Sequence, residues 1–96
     1  MKEYKAAVTA INNSLKLFAN SKYREEMMFL KLNSLFQYAE LSMADKQKSR
    51  YQDTLDDYYS FMEEYPESQY AKDVRAIYQK TDKYLKEAIP DSQSNN

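Results

Sequence analysis

Apolar residues return along this chain at steps of three and four in successive runs, and each run reads as an amphipathic helix. In residues 3–18, Tyr4, Ala7, Val8, Ile11, Leu15 and Phe18 make one stripe. Ala19, Asn20 and Ser21 form a stop and restart, because Asn and Ser side chains accept the orphan N–H groups of a new helix. The second run, 22–42, has Glu25 and Glu26 in its first turn, where carboxylates suit the helix dipole. Its apolar residues Met27, Met28, Leu32, Leu35 and Ala39, with Leu30 and Tyr38 at the flanks, cover a wide arc. A helix apolar over so much of its girth sits between neighbours, which makes this the central element.

Residues 43–50 are polar and locally basic, and are expected to hold a loop and the frayed start of a third helix, 47–65. That helix turns Tyr51, Leu55, Tyr58, Met62 and Tyr65 inward, and Pro66 ends it by removing a backbone donor and disfavouring helical geometry at Tyr65. Ser68 is placed to cap a fourth helix, 68–88, which carries Tyr70, Val74, Ile77, Tyr78, Thr81 and Leu85 inward. Pro90 and the polar residues after it are expected to form a disordered tail, 90–96. Short connections imply antiparallel neighbours, and no useful segment alternates with period two. The expected fold is all-α, in tandem antiparallel helical hairpins over residues 1–89.

The chain also repeats itself. Phe18-Ala19-Asn20-Ser21-Lys22-Tyr23 returns as Tyr65-Pro66-Glu67-Ser68-Gln69-Tyr70, an offset of 47 (65 minus 18), and Val8 with Leu55, Leu15 with Met62 and Leu30 with Ile77 follow at the same spacing. Self-similarity at such a period marks stacked repeats, each burying its apolar face against its neighbours. The doubled phrase is a joint that closes one repeat and opens the next. The complete repeat then runs from about residue 22 to 65, flanked by two halves, and the chain is expected to be an excerpt of a longer array.

Composition narrows the chemistry. The 96 residues include no Gly, Cys or His. Without Gly there is no phosphate-cradling loop or dinucleotide fingerprint. Without Cys and His there are no thiol nucleophiles, disulfides, imidazole bases or usual zinc sites. A net charge of −1 argues against a nucleic-acid footprint, and no apolar run approaches a membrane span. No cofactor is implied. The acidic group Asp53, Asp56, Asp57, Glu63 and Glu64 lacks EF-hand spacing and reads as solvated helix surface.

The phrase Tyr65-Pro66-Glu67-Ser68-Gln69-Tyr70-Ala71 after an amphipathic helix resembles the tetratricopeptide repeats of bacterial outer-membrane assembly lipoproteins of the BamD type, and the stretch Tyr23-Arg24-Glu25-Glu26 is most similar to those of Bacteroides-like bacteria. On the general repeat pattern Pro66 matches the closing Pro, with Ala19 in its place in the first copy. Ala7, Ile11 and Ser14 match the small–aromatic–small positions of the second helix, as do Thr54, Tyr58 and an oversized Phe61. The expected Gly falls at Phe29 and Ala76, so packing there must be looser or differently angled. The resemblance covers about residues 4–88 and implies the C-terminal repeat region of a lipid-anchored protein on the periplasmic side of the outer membrane. It implies no catalysis, and docking onto the periplasmic POTRA region of the barrel-forming assembly protein.

Candidate site residues follow from both readings. Lys46, Lys48 and Arg50 are either solubilising charge or, as the resemblance implies, a docking loop in which an Arg forks onto a partner carboxylate. Glu26, Leu30, Asn33 and Ser34 would face the groove on the general repeat pattern. Of the ten tyrosines, Tyr23, Tyr51, Tyr58 and Tyr70 are expected in the core, whereas Tyr38, Tyr59 and Tyr84 are expected at the surface, where tyrosine suits an interface. The function read from the sequence is a non-catalytic protein-interaction scaffold in outer-membrane barrel assembly. The alternatives are a peptide-binding repeat adaptor and a self-associating four-helix bundle; exposed repeat ends would favour self-association.

Overall fold

The computed structural model describes residues 2–17 and 22–88, and its elements are helices: α1 (Lys2–Leu17), α2 (Arg24–Glu40), α3 (Ala44–Glu64) and α4 (Ala71–Ala88). Among the described residues there is no strand. Successive helices pack on one another, and α2 also reaches α4, so α2 is the central helix that its wide apolar arc announced. The architecture is the expected all-α stack of helical hairpins, compatible with tetratricopeptide-like packing. The side chain of Tyr4, Phe18, the Ala19–Ser21 stop and the tail 90–96 lie outside the described residues.

The helix limits correct the sequence reading at the turns. α3 starts at Ala44, so the loop expected over 43–50 shrinks to Leu41–Met43. Met43 is extended (φ −68°, ψ 153°) and its carbonyl accepts the amides of Lys46 at 2.8 Å and Gln47 at 3.1 Å, starting the helix without a side-chain cap. The polar run 44–50 is a solvated helix face, built from residues such as Lys, Gln and Arg that favour helix strongly. α4 starts at Ala71 rather than 68: Ser68 holds the turn before it, its Oγ accepting the Tyr70 amide at 2.9 Å and its carbonyl the Ala71 amide at 3.0 Å. α2 begins after Tyr23 with no side-chain cap, and ends at Glu40 with the Leu41 amide on the Gln37 carbonyl.

The core is Met28, Leu32, Phe36 and Ala39 from α2, Tyr51 and Phe61 from α3, and Val74 and Ile77 from α4. Leu32, Phe61 and Val74 are wholly buried, each worth about 1.5–3 kcal/mol relative to exposure. Phe36 and Phe61 stand outside the apolar stripes read from periodicity. Phe36 lies four residues beyond Leu32, on the line Met28–Leu32–Phe36–Ala39. Phe61 and Thr54 are found instead by the repeat correspondence, and both are fully buried. Thr54 Oγ1 donates to the Arg50 carbonyl at 3.0 Å, while the equally buried Thr81 Oγ1 has no hydrogen-bond partner among the described residues.

The repeats are not equivalent in burial. Leu15 and Met62 both pack on the core, but Leu30 is 44 % exposed where its counterpart Ile77 is 7 % exposed. The joint tyrosines differ likewise. Tyr70 stacks on Phe29 with ring centroids 4.5 Å apart, so Phe29, standing where the repeat pattern expects Gly, is used as a packing platform. Tyr23, expected in the core, is 56 % exposed. None of the described side chains of α1 is fully buried, and Leu15 is the one that packs on the core cluster.

Candidate functional site

The α2–α3 turn is held from inside by polar side chains. The last carbonyls of a helix lack intrahelical partners, and Gln47 Nε2 supplies donors to two of them, Ala39 O at 3.1 Å and Glu40 O at 3.2 Å. The Oε1 of the same amide accepts the Tyr84 hydroxyl of α4 at 2.5 Å, and the Tyr84 ring lies on Tyr51 with centroids 4.3 Å apart. Burial, followed by the charge of Glu40, raises the Tyr51 hydroxyl above its ordinary pKa. Arg50 Nη1 donates to Ser42 Oγ at 2.7 Å, Ser42 Oγ donates to the Tyr38 carbonyl at 2.6 Å, and the Arg50 guanidinium sits 4.2 Å above the Tyr38 ring.

The sequence-predicted residues therefore divide. Lys46 and Lys48 are exposed on the first turns of α3, whereas Arg50 is half-buried and committed to Tyr38 and Ser42. Tyr38 and Tyr84, expected at the surface, are half-buried: one lies under Arg50, the other on Tyr51. What the turn presents outward is apolar, with Leu41 57 % and Met43 77 % exposed. Neither residue was singled out by periodicity, because both lie just past the end of a helical run. Ser42 and Gln47 carry no pattern of their own and become legible only once the helix ends are placed.

The α3–α4 turn is built differently. Arg24 forks onto Glu64, Nε at 2.5 Å and Nη2 at 3.1 Å, tying the start of α2 to the end of α3. The hydrogen bond from Arg24 holds the Glu64 carboxyl below the usual carboxylate range. Ser68 Oγ donates to the Glu25 carboxylate, closing the turn onto α2. Beside it lies a shallow hollow of about 410 Å³ lined by Glu25, Tyr65, Pro66, Glu67, Ser68 and Gln69. A second cleft of about 380 Å³ has Leu15 and Met28 alongside the charged Arg24, Lys31, Asp57 and Glu64. Lys31 Nζ is 3.2 Å from Asp57 Oδ1, yet burial dominates and raises the Asp57 carboxyl.

Among the described residues no three carboxylates gather to hold a metal ion; Asp57 and Glu64 are spent on Lys31 and Arg24. The groove candidates on α2 share a face, with Glu26 and Leu30 exposed and Asn33 and Ser34 half-buried. Tyr59 is 54 % exposed on the far side of α3, with Tyr58 and Tyr78 beside it. The ten residues thus lie in three places: the α2–α3 turn with its clasp to α4, the α2 groove face, and the α3–α4 outer face.

A family model described as the outer membrane lipoprotein YfiO matches residues 1–88. No curated protein matches the chain, and no solved structure does.

Proposed function

The chain belongs to the YfiO family of outer membrane lipoproteins, and we propose that it is a non-catalytic scaffold whose α2–α3 turn docks on the periplasmic POTRA region of the barrel-forming assembly protein. Membership of this BamD-like family supports a part in outer-membrane protein assembly, a protein partner there, and a place on the periplasmic side of that membrane. No helix among the described residues is long and apolar enough to cross a membrane. Within this reading, α2 and α3 make the complete repeat, and the stretch is the C-terminal repeat region of its parent.

One observation carries the docking surface: Leu41 and Met43 stand 57 % and 77 % exposed on a turn locked by Gln47, Arg50 and Tyr84. A surface already fixed in its bound shape loses little ordering entropy on association. The two side chains offer an apolar centre, and Lys46 and Lys48 give it a basic rim that steers an acidic partner. Arg50 acts through the shape of the turn, since its guanidinium is already engaged. The groove face is the second reading, that of a peptide-binding adaptor, favoured by the 44 % exposure of Leu30.

Titration calorimetry of the chain against the recombinant POTRA region of the same organism tests the proposal. Saturable one-to-one binding that weakens with added salt is expected. Absence of heat and of co-elution at about 100 μM of each protein, well above a micromolar dissociation constant, would overturn it.

A further inference from the structure

The outer face of α3 and α4 carries an aromatic cluster that starts at Tyr58, packed on the core, and runs outward to Tyr59 and Tyr78. Tyr58 and Tyr78 stack with centroids 4.6 Å apart and planes at 20°, and Tyr59 meets them at 5.3 and 6.2 Å with planes near 60°. Tyr59 and Tyr78 therefore form an open aromatic corner. A carboxylate stands beside it: Asp82 lies four residues beyond Tyr78 on α4, the spacing of neighbours on one helix face. Gln52, Asp56, Tyr59 and Glu63 recur at steps of four, three and four and are all exposed, so the rim of the corner on α3 is acidic.

The carboxylate already pairs with a cation. Lys86 Nζ lies 3.0 Å from Asp82 Oδ2 on an otherwise exposed side chain, and the hydrogen bond to Asp82, its charge, and in lesser measure Tyr78 raise the Lys86 ammonium. Elsewhere the same chain joins these chemistries, with the Arg50 guanidinium 4.2 Å above the Tyr38 ring. Rings attract a cation placed over their faces, and an adjacent carboxylate accepts its N–H groups. A planar guanidinium serves both at once, whereas an ammonium is a point charge.

We propose that Tyr59, Tyr78 and Asp82 form a docking site for an arginine side chain of a protein partner, with Lys86 as the intramolecular cation that the arginine displaces. The site is separate from the α2–α3 turn and does not depend on the assembly reading. Its rings and the carboxylates of Asp56, Glu63 and Asp82, flanked on α4 by Arg75 and Lys86, favour a basic segment, the opposite of what Lys46 and Lys48 select.

The test is NMR titration of the full chain with the peptide acetyl-Gly-Arg-Gly-Arg-Gly-amide and its citrulline and lysine analogues. The arginine peptide is expected to shift the Tyr59 and Tyr78 ring signals, with the lysine peptide weaker and the uncharged citrulline peptide silent. Tyr59→Ala and Asp82→Asn should each weaken binding about fivefold, Tyr59→Phe should retain it, and Lys86→Ala should strengthen it about twofold by removing the competitor. Tyr59 and Lys86 are exposed, so these variants keep the fold, which circular dichroism checks. Unshifted rings, equal shifts from the citrulline peptide, or weaker binding by Lys86→Ala would each overturn the site.

Discussion

The two described turns of this chain do the same topological job with opposite surfaces. The α2–α3 turn uses polar side chains inward, where Gln47 and Arg50 bind backbone, hydroxyl and ring, and turns Leu41 and Met43 to solvent. At the α3–α4 turn the aromatic groups face in, with Tyr70 stacked on Phe29 and Tyr65 half-buried, and Pro66 and Glu67 are left outside. A turn built only for connection would look like the second. The first spends its polar groups on rigidity and leaves its apolar groups exposed, which is the arrangement of a preorganised contact. That difference is the ground on which docking is proposed at the first turn and not at the second.

The largest effect should come from the core between the helices. Phe61→Ala empties the core beneath the last turn of α3 and should cost about 3–5 kcal/mol in urea unfolding. Next in size, Gln47→Ala removes three hydrogen bonds of the α2–α3 turn and should cost about 1–3 kcal/mol. It should also speed amide exchange at Lys46 and Gln47 while leaving Tyr70 and Ala71 unchanged; uniform loss of protection would show that the turns are not independent units. At the other turn, a double-mutant cycle on Phe29→Leu and Tyr70→Leu should return a coupling of about 0.5–1.5 kcal/mol, and zero coupling would mean that the stack contributes only by area.

The smallest effect is the pH response of the Arg24–Glu64 fork. Glu64 has a lowered pKa in the folded chain, so its contribution is present above the ordinary carboxylate pKa and lost as pH falls through the lowered value. Its side chain is 39 % exposed, so screening limits the contribution to about 0.2–1 kcal/mol. Asp57 runs the other way: its folded pKa is raised, so its favourable contribution is full at low pH and lost as pH rises through that value. Acid titration of Glu64→Gln and Asp57→Asn should therefore change the stability curve with opposite slopes. Equal slopes would show that burial of Asp57 does not outweigh Lys31.

Much of the architecture was legible in the chain because helical periodicity records which side of each helix is buried. The positions of all four helices, the central place of α2 and the inward set Val74, Ile77 and Thr81 followed from it. Two core residues were passed over although they lie at helical spacing: Phe36 continues the line Met28–Leu32–Phe36, and Phe61 falls three residues beyond Tyr58 and four before Tyr65. Periodicity failed at 44–50, since exposed helix and polar loop share a composition. The candidate site was half legible. Charge pointed to Lys46, Lys48 and Arg50, but only the helix ends reveal that Arg50 is a strut and that Leu41 and Met43 form the exposed tip.

The contrast between the turns is tested most directly by paired substitutions read against the POTRA region in one calorimetric series. Met43→Asp should weaken binding about tenfold or more, the loss expected of an apolar anchor, while Glu67→Lys on the other turn should stay within about twofold. Undiminished binding by Met43→Asp, with the loss appearing at Glu67→Lys instead, would contradict the assignment of docking to the α2–α3 turn.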